Sequence, residues 1–157
     1  MGPLINKESL EKVERHVRDA LDKGAILKTG GEKVSHACGY FYLPTVLMNI
    51  DDSMLITREE TFGPVAGITA FADEEEVIAK ANATPYGLAG YYFTRDIGQV
   101  IRLAERLEFG ILGANDGLPS TAQAPFGGLK ESSLSREGSK YGLDEYLEVK
   151  YLSLGGI

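Results

Sequence analysis

Chemistry concentrates first in Arg58-Glu59-Glu60-Thr61-Phe62-Gly63-Pro64-Val65, where two adjacent carboxylates run into an aromatic and then a Gly-Pro turn. A carboxylate can accept hydrogen bonds from two neighbouring sugar hydroxyls. An aromatic two residues further on offers a flat face to a second ring. Gly63 permits a backbone shape or close approach that a side chain would block, and Pro64 stiffens the exit. Taken alone, these residues read more simply as a surface acidic pair, a core phenylalanine and an ordinary turn. The elements around them, and two further motifs, turn the reading towards a site.

The other reactive side chains are few. Cys38 is the single cysteine and His16 and His36 are the only histidines, so no metal-ligand spacing is present and no internal disulfide can form. Cys38 and His36 lie two residues apart in Ser35-His36-Ala37-Cys38-Gly39-Tyr40, which invites a Cys-His reading. Catalytic pairs are usually assembled across a fold rather than along a loop, and a lone cysteine reads better as a small hydrophobe. A formal charge of −7 argues against nucleic acid or an acidic membrane as partner. No apolar run approaches a membrane span, and the start lacks the pattern of an export signal; the expectation is a soluble, cytoplasmic protein.

The elements that must position these residues follow in order. Asn6 to Lys23 predicts a helix with Leu10, Val13, Val17, Ala20 and Leu21 on one face, Asn6 as its cap and Gly24 at its end. Strands are expected at Ala25 to Lys28 and Tyr40 to Met48, with Pro44 marking an irregularity. From Val65 the rhythm is regular: strand Val65 to Phe71, a helix opened by Asp73-Glu74-Glu75-Glu76, strand Ala89 to Thr94, a helix capped by Asp96 and Gln99 with Ile97, Val100, Ile101, Ala104 and Leu107 on its face, and strand Gly110 to Ala114. This predicts an α/β fold with a parallel β-α-β-α-β sheet. In such sheets function gathers beyond the carboxyl ends of the strands, which directs attention to the turn-rich segment Asn115 to Lys130. Asn115 itself reads as a turn-former. Arg136 to Gly142 predicts a short helix. Glu145 to Leu154 alternates and predicts a strand, either an edge of its own sheet or one that pairs with another subunit.

With the pieces in this order the chain resembles the carboxyl-terminal third of the NAD(P)-dependent aldehyde dehydrogenase superfamily. The resemblance rests on Gly2-Pro3-Leu4-Ile5, on Glu59-Glu60-Thr61-Phe62-Gly63-Pro64, and on Pro125-Phe126-Gly127-Gly128-Leu129-Lys130 followed by Arg136-Glu137-Gly138. Within the superfamily, the run from Arg136 to Tyr151 looks most like the succinate-semialdehyde dehydrogenases. The resemblance implies that Glu60 accepts hydrogen bonds from the nicotinamide ribose of NAD or NADP and that Phe62 positions the nicotinamide. It implies that Ser120 helps to bind the distal carboxylate of the substrate and that Phe126 lines the substrate tunnel. For Ser120 the alternative is a loop serine bonding local backbone, and for Phe126 a core side chain under a glycine turn. One departure stands in the motif: Ser133 and Ser135 replace two glycines usual in the family, a costly exchange wherever positive φ or close approach is required.

The resemblance also implies what lies elsewhere. The superfamily reaction uses a cysteine thiolate to form a thiohemiacetal and a glutamate base to hydrolyse the thioester. Neither residue nor a glycine-rich dinucleotide fingerprint is found in this chain. The expected organisation is a partial catalytic domain over 1–144 and an oligomerisation strand over 145–157, without the dinucleotide-binding domain. No catalytic residue is then expected in this chain, which alone would be inactive and require the amino-terminal portion of the enzyme as partner. An alternative is an interaction module that joins full-length aldehyde dehydrogenase subunits through Glu145 to Leu154. An independent nucleotide-binding domain is the weakest reading, because no cradle for phosphates is found.

Overall fold

The computed structural model describes residues 1–34 and 38–156. The His36 half of the Cys-His reading lies outside the described residues. The chain forms two compact units, Met1–Phe71 and Ala72–Ile157.

The first unit is built on helix α1, Lys7–Asp22. Asn6 caps it as expected, its side chain accepting from the Ser9 N–H at 2.8 Å, and Gly24 follows at φ +97°. The helix buries Val13, His16, Val17 and Ala20, whereas Leu21, expected on that face, is exposed. Strands β1 (Ile26–Thr29), β2 (Thr45–Met48) and β3 (Val65–Ile68) form a sheet in that order, β1 antiparallel and β3 parallel to β2. Between β2 and β3 lies the single-turn helix α2, Leu55–Arg58. The core joins Val13, Val17 and Ala20 of α1 to Leu47, Ile50, Met54 and Tyr42. The expected strand from Tyr40 is shorter: Tyr40 and Tyr42 make only isolated bridges, to Leu4 and Lys33. Pro44, which has no N–H to donate, precedes the continuous part.

The second unit carries α3 (Glu74–Asn82), β4 (Tyr86–Gly87), β5 (Ala89–Tyr92), α4 (Ile97–Arg106), β6 (Ile111–Ala114), β7 (Leu129–Lys130) and a 3₁₀ turn at Tyr141–Tyr146. Strands β5 and β6 pair in parallel across α4, one true β-α-β unit, while β4 and β7 pair antiparallel. Asp73 caps α3, accepting from the Glu76 N–H at 2.9 Å, and Glu76 reaches back to the Ala72 N–H. The second expected capping box does not close: Asp96 accepts from Gly98, but the Gln99 side chain turns to Thr94 and Glu74.

Two expectations are corrected, and the terminal strand finds no partner among the described residues. The continuous β-α-β-α-β sheet is not formed, because β3 takes β2 as its parallel partner and β5 pairs with β6 alone. The helix placed at Arg136 to Gly142 is instead the later 3₁₀ turn. Residues 147–154 form no strand and lie exposed. An alternating segment needs an edge to donate to, and among the described residues none receives it.

Candidate functional site

The segment leading to Glu60 is tied to α1 by charged groups. Asp19, in the last turn of α1, accepts the Leu55 N–H at 2.7 Å and pairs with Lys23 at 2.6 Å. Lys23 in turn donates to the Ser53 carbonyl at 2.7 Å. The Lys23 ammonium first, and then the Leu55 N–H, hold the Asp19 carboxyl below the usual carboxylate range. Asp51 accepts both the N–H and the hydroxyl of Ser53, which lower its pKa in the same way.

The acidic pair then divides its labour. Glu59 turns towards α1, where Nε2 of His16 lies 3.1 Å from its Oε2 and Arg15 donates to the same oxygen at 3.2 Å. The bond from His16, followed by that from Arg15, holds its pKa below the usual range. The Nδ1 of His16 meets the Thr61 hydroxyl at 3.0 Å. Glu60, between Glu59 and Thr61, is exposed, and its carboxylate takes no hydrogen bond or ion pair among the described residues. It faces a cleft of about 360 Å³ lined by Ile50, Ile56, Thr57, Phe62 and Val65 among others.

Phe62 is not a core side chain. It is 80% exposed and sits at φ +46°, the left-handed region that a bulky residue rarely adopts. Such strain persists where the surroundings impose it, and it clusters at ligand sites. Gly63 explains part of the constraint: a Cβ there would lie 2.5 Å from Val13 Cγ2. The chain passes too close to the core for any side chain, and the ring one residue earlier is turned outwards.

Ser120 and Phe126 belong to the second unit. Ser120 is exposed and its hydroxyl bonds to no described residue, so the alternative of a local backbone bond is not what is seen. Phe126 is 38% exposed, and its backbone exchanges bonds of 2.8 and 2.7 Å with Glu137. Gly127 lies against the returning chain, where a Cβ would come within 2.5 Å of the Ser135 carbonyl. Asn115 is the turn-former it was expected to be, bonding both the N–H and the carbonyl of Thr94 from φ +55°. The two serines that replace glycines are accommodated. Neither Ser133 nor Ser135 is at positive φ, and the Ser133 hydroxyl donates to the Ser135 carbonyl at 2.8 Å.

The structure therefore brings Glu60 and Phe62 to one cleft and places Ser120 and Phe126 in the other unit. Sequence reasoning missed His16, Thr61 and Arg15. The spacing of His16 from Val13 and Ala20 was the available signal, since it lies on the buried face of α1. Cys38 is a free, exposed thiol that bonds to no described residue. Among the described residues there is no cluster able to hold a metal ion, and no helix is long and apolar enough to cross a membrane.

The Glu60 carboxylate thus stands beside an outward-turned aromatic in the first unit, and Phe126 is bonded through its backbone to Glu137 in the second. The chain belongs to the aldehyde dehydrogenase family, whose sequence pattern matches residues 1–152. Among its relatives, the rat mitochondrial succinate-semialdehyde dehydrogenase is 54% identical over 156 residues, which cover 99% of this chain and 30% of the relative. The crystal structure of succinate-semialdehyde dehydrogenase from Burkholderia pseudomallei superposes with a TM-score of 0.92 at 52% identity, covering 97% of this chain and 31% of the other. An NAD+ complex of an aldehyde dehydrogenase from Bacillus cereus superposes with a TM-score of 0.89 at 41% identity, covering 96% and 30%. The chain thus spans about 30% of the length of the curated relatives it matches.

Proposed function

We propose that the chain is a portion of an NAD(P)-dependent aldehyde dehydrogenase that oxidises succinate semialdehyde, or a similar aldehyde bearing a distal anion, to the acid. The observation that carries the reading is the unpartnered Glu60 carboxylate at a cleft beside the outward-turned Phe62. Both residues fit the nicotinamide-ribose end of a dinucleotide. Glu60 accepts from the two ribose hydroxyls, and Phe62 flanks the ring and keeps water from its face. When bound, the dinucleotide supplies the hydride acceptor. Ser120, with a hydroxyl free to donate, holds the distal carboxylate, and Phe126 lines the path of the aldehyde chain. The nucleophile and the general base come from the part of the enzyme this chain does not contain, so the chain alone does not turn over. The cytoplasm is its proposed compartment, although the rat relative is a mitochondrial protein.

The test is complementation. The chain is fused to the remaining portion of a succinate-semialdehyde dehydrogenase, in both orders, and NAD(P)H formation is followed with succinate semialdehyde. Turnover in one order supports the reading and fixes the place of the segment in the whole enzyme. Turnover in neither order, or aldehyde-dependent NAD(P)H formation by the chain alone that Cys38→Ala abolishes, sinks it.

A second reading is supported by the exposure of Tyr146, Leu147, Val149, Tyr151, Leu152 and Leu154. In it the segment 145–154 adds as a strand to another copy of the chain, or to a full-length aldehyde dehydrogenase subunit. Pull-down with such subunits, lost on Val149→Pro, is the result it requires.

A further inference from the structure

We propose that His16 is a positioning residue for the lip formed by Glu60 and Phe62, setting both by gripping the residues on either side of Glu60. The proposal rests on the reading of that lip as the nicotinamide-ribose site. His16 is fully buried, yet both ring nitrogens are engaged outside its own helix, with Glu59 at 3.1 Å and Thr61 at 3.0 Å. Burying an imidazole on an otherwise apolar helix face is costly unless its polar atoms are satisfied. These two bonds satisfy them.

The geometry gives the bonds a consequence beyond stability. Glu59 has extended backbone geometry, so its side chain and that of Glu60 leave the chain on different sides. By holding Glu59 and Thr61 together, His16 turns the intervening Glu60 away, towards the cleft. Phe62 follows directly and is fixed in its left-handed conformation between the gripped Thr61 and the close approach of Gly63 to Val13.

The Glu59 carboxylate sets one end of the hydrogen-bond polarity. A carboxylate only accepts, so Nε2 carries the proton and donates to Glu59. The Thr61 hydroxyl, which can donate or accept, meets Nδ1 at the other end. Arg15 holds the same Glu59 oxygen from solvent, and Asp19 lies one turn further along α1. The grip is therefore a hydrogen-bonded chain that links Thr61, His16 and Glu59. A glutamine amide could reproduce it, with one donor and one acceptor, and a leucine could not.

The experiment compares His16→Gln, His16→Leu and Thr61→Val in the complemented enzyme and in the chain itself. In the enzyme, His16→Leu should raise KM for the dinucleotide roughly tenfold, the scale of one hydrogen bond to a charged group, and leave kcat within about twofold. His16→Gln should recover most of that loss, and Thr61→Val should raise KM severalfold. In the isotope-labelled chain, the backbone amide resonances of Glu60 and Phe62 should shift in His16→Leu and Thr61→Val and return towards wild type in His16→Gln. A purely structural histidine would lower kcat and stability together, with glutamine no better than leucine and the Glu60 and Phe62 resonances unmoved; that outcome overturns the proposal. If His16→Leu does not fold, Thr61→Val decides, since an unchanged KM and unchanged resonances also overturn it. Failure of every complemented enzyme to turn over refutes the aldehyde-oxidation reading, while the resonances of the chain still decide the grip.

Discussion

The two units close in different ways. Met1–Phe71 encloses a core in which Val13, Ala20, Leu47 and Met54 are essentially inaccessible. Among the described residues of Ala72–Ile157, the large hydrophobic side chains that are buried are Ile78 and Leu103. This unit leaves Phe93, Ile97, Ile101 and Tyr91 open, although Ile97 and Ile101 belong to the apolar face of α4. Charged pairs join α3 to α4: Arg102 binds Glu74 through two bonds of 2.9 Å, and Arg106 grips Glu75, beside bonds from the neutral amides of Gln99 to Glu74 and of Asn82 to the Arg106 carbonyl. Exposed pairs of this kind stabilise little. The first unit is thus organised by burial, with its site on a lip held by that burial. The second leaves much of its apolar surface open.

The largest break in this comparison comes from the first unit. Leu47→Ala removes a fully buried side chain from the central strand and should destabilise by about 2–5 kcal/mol, seen in denaturant unfolding. Ile97→Ala, at a residue 74% exposed, should stay within about 0.5 kcal/mol in the same assay. Equal losses would mean that α4 is covered in solution. Next in size is Gly127→Ala, whose Cβ would meet the Ser135 carbonyl at 2.5 Å and the Arg136 side chain just beyond. It should cost about 1–3 kcal/mol, because the obstruction is backbone and cannot swing aside. A neutral result would show that the return beside Phe126 is looser than its contacts imply.

These differences explain what the sequence could and could not disclose. Helix α1 was legible because cap, periodicity and terminal glycine agree, and the short connections marked β5, α4 and β6 equally well. Strand partners were not legible. The run from Val65 is as apolar as a parallel strand should be, but periodicity does not say whether β2 or β5 lies beside it. The exposed state of Phe62 was hidden for a related reason, since its outward turn depends on Gly63 meeting Val13, a contact fifty positions apart in the chain. Glu59 and Glu60 were indistinguishable in sequence. Only the fold shows that one is spent on His16 and the other is left free.

Acid should sharpen the contrast. Glu59, Glu74 and Glu75 all have pKa values lowered in the folded chain, by His16, Arg102 and Arg106 respectively as the leading cause. A depressed carboxyl contributes stability above its unfolded pKa and loses it as pH falls through the lower folded value. Melting temperature should therefore fall as pH drops below the ordinary glutamate range. Glu74→Gln and Glu75→Gln should flatten that slope at low salt and have little effect at high salt, because solvent-exposed pairs are screened. Glu59→Gln should flatten it at both, since its leading partner is buried. A Glu59 effect that also vanishes in salt would move it into the class of surface pairs.

The smallest expected effect on the chain itself is the most informative about its second unit. Val149 is 99% exposed and its N–H bonds to no described residue, so Val149→Pro removes nothing the isolated chain uses. Its unfolding should match wild type within about 0.5 kcal/mol. If residues 147–154 become a strand on the edge of another copy, the same proline deletes a ladder donor, and association should weaken sharply. Light scattering coupled to size exclusion reads this directly: a wild-type oligomer that becomes monomeric at unchanged melting temperature assigns the segment to assembly. A loss of melting temperature in the monomer would instead mean that the segment packs on its own chain. An oligomer that survives the proline would leave the open face of α4, with Ile97 and Ile101, as the surface through which copies meet.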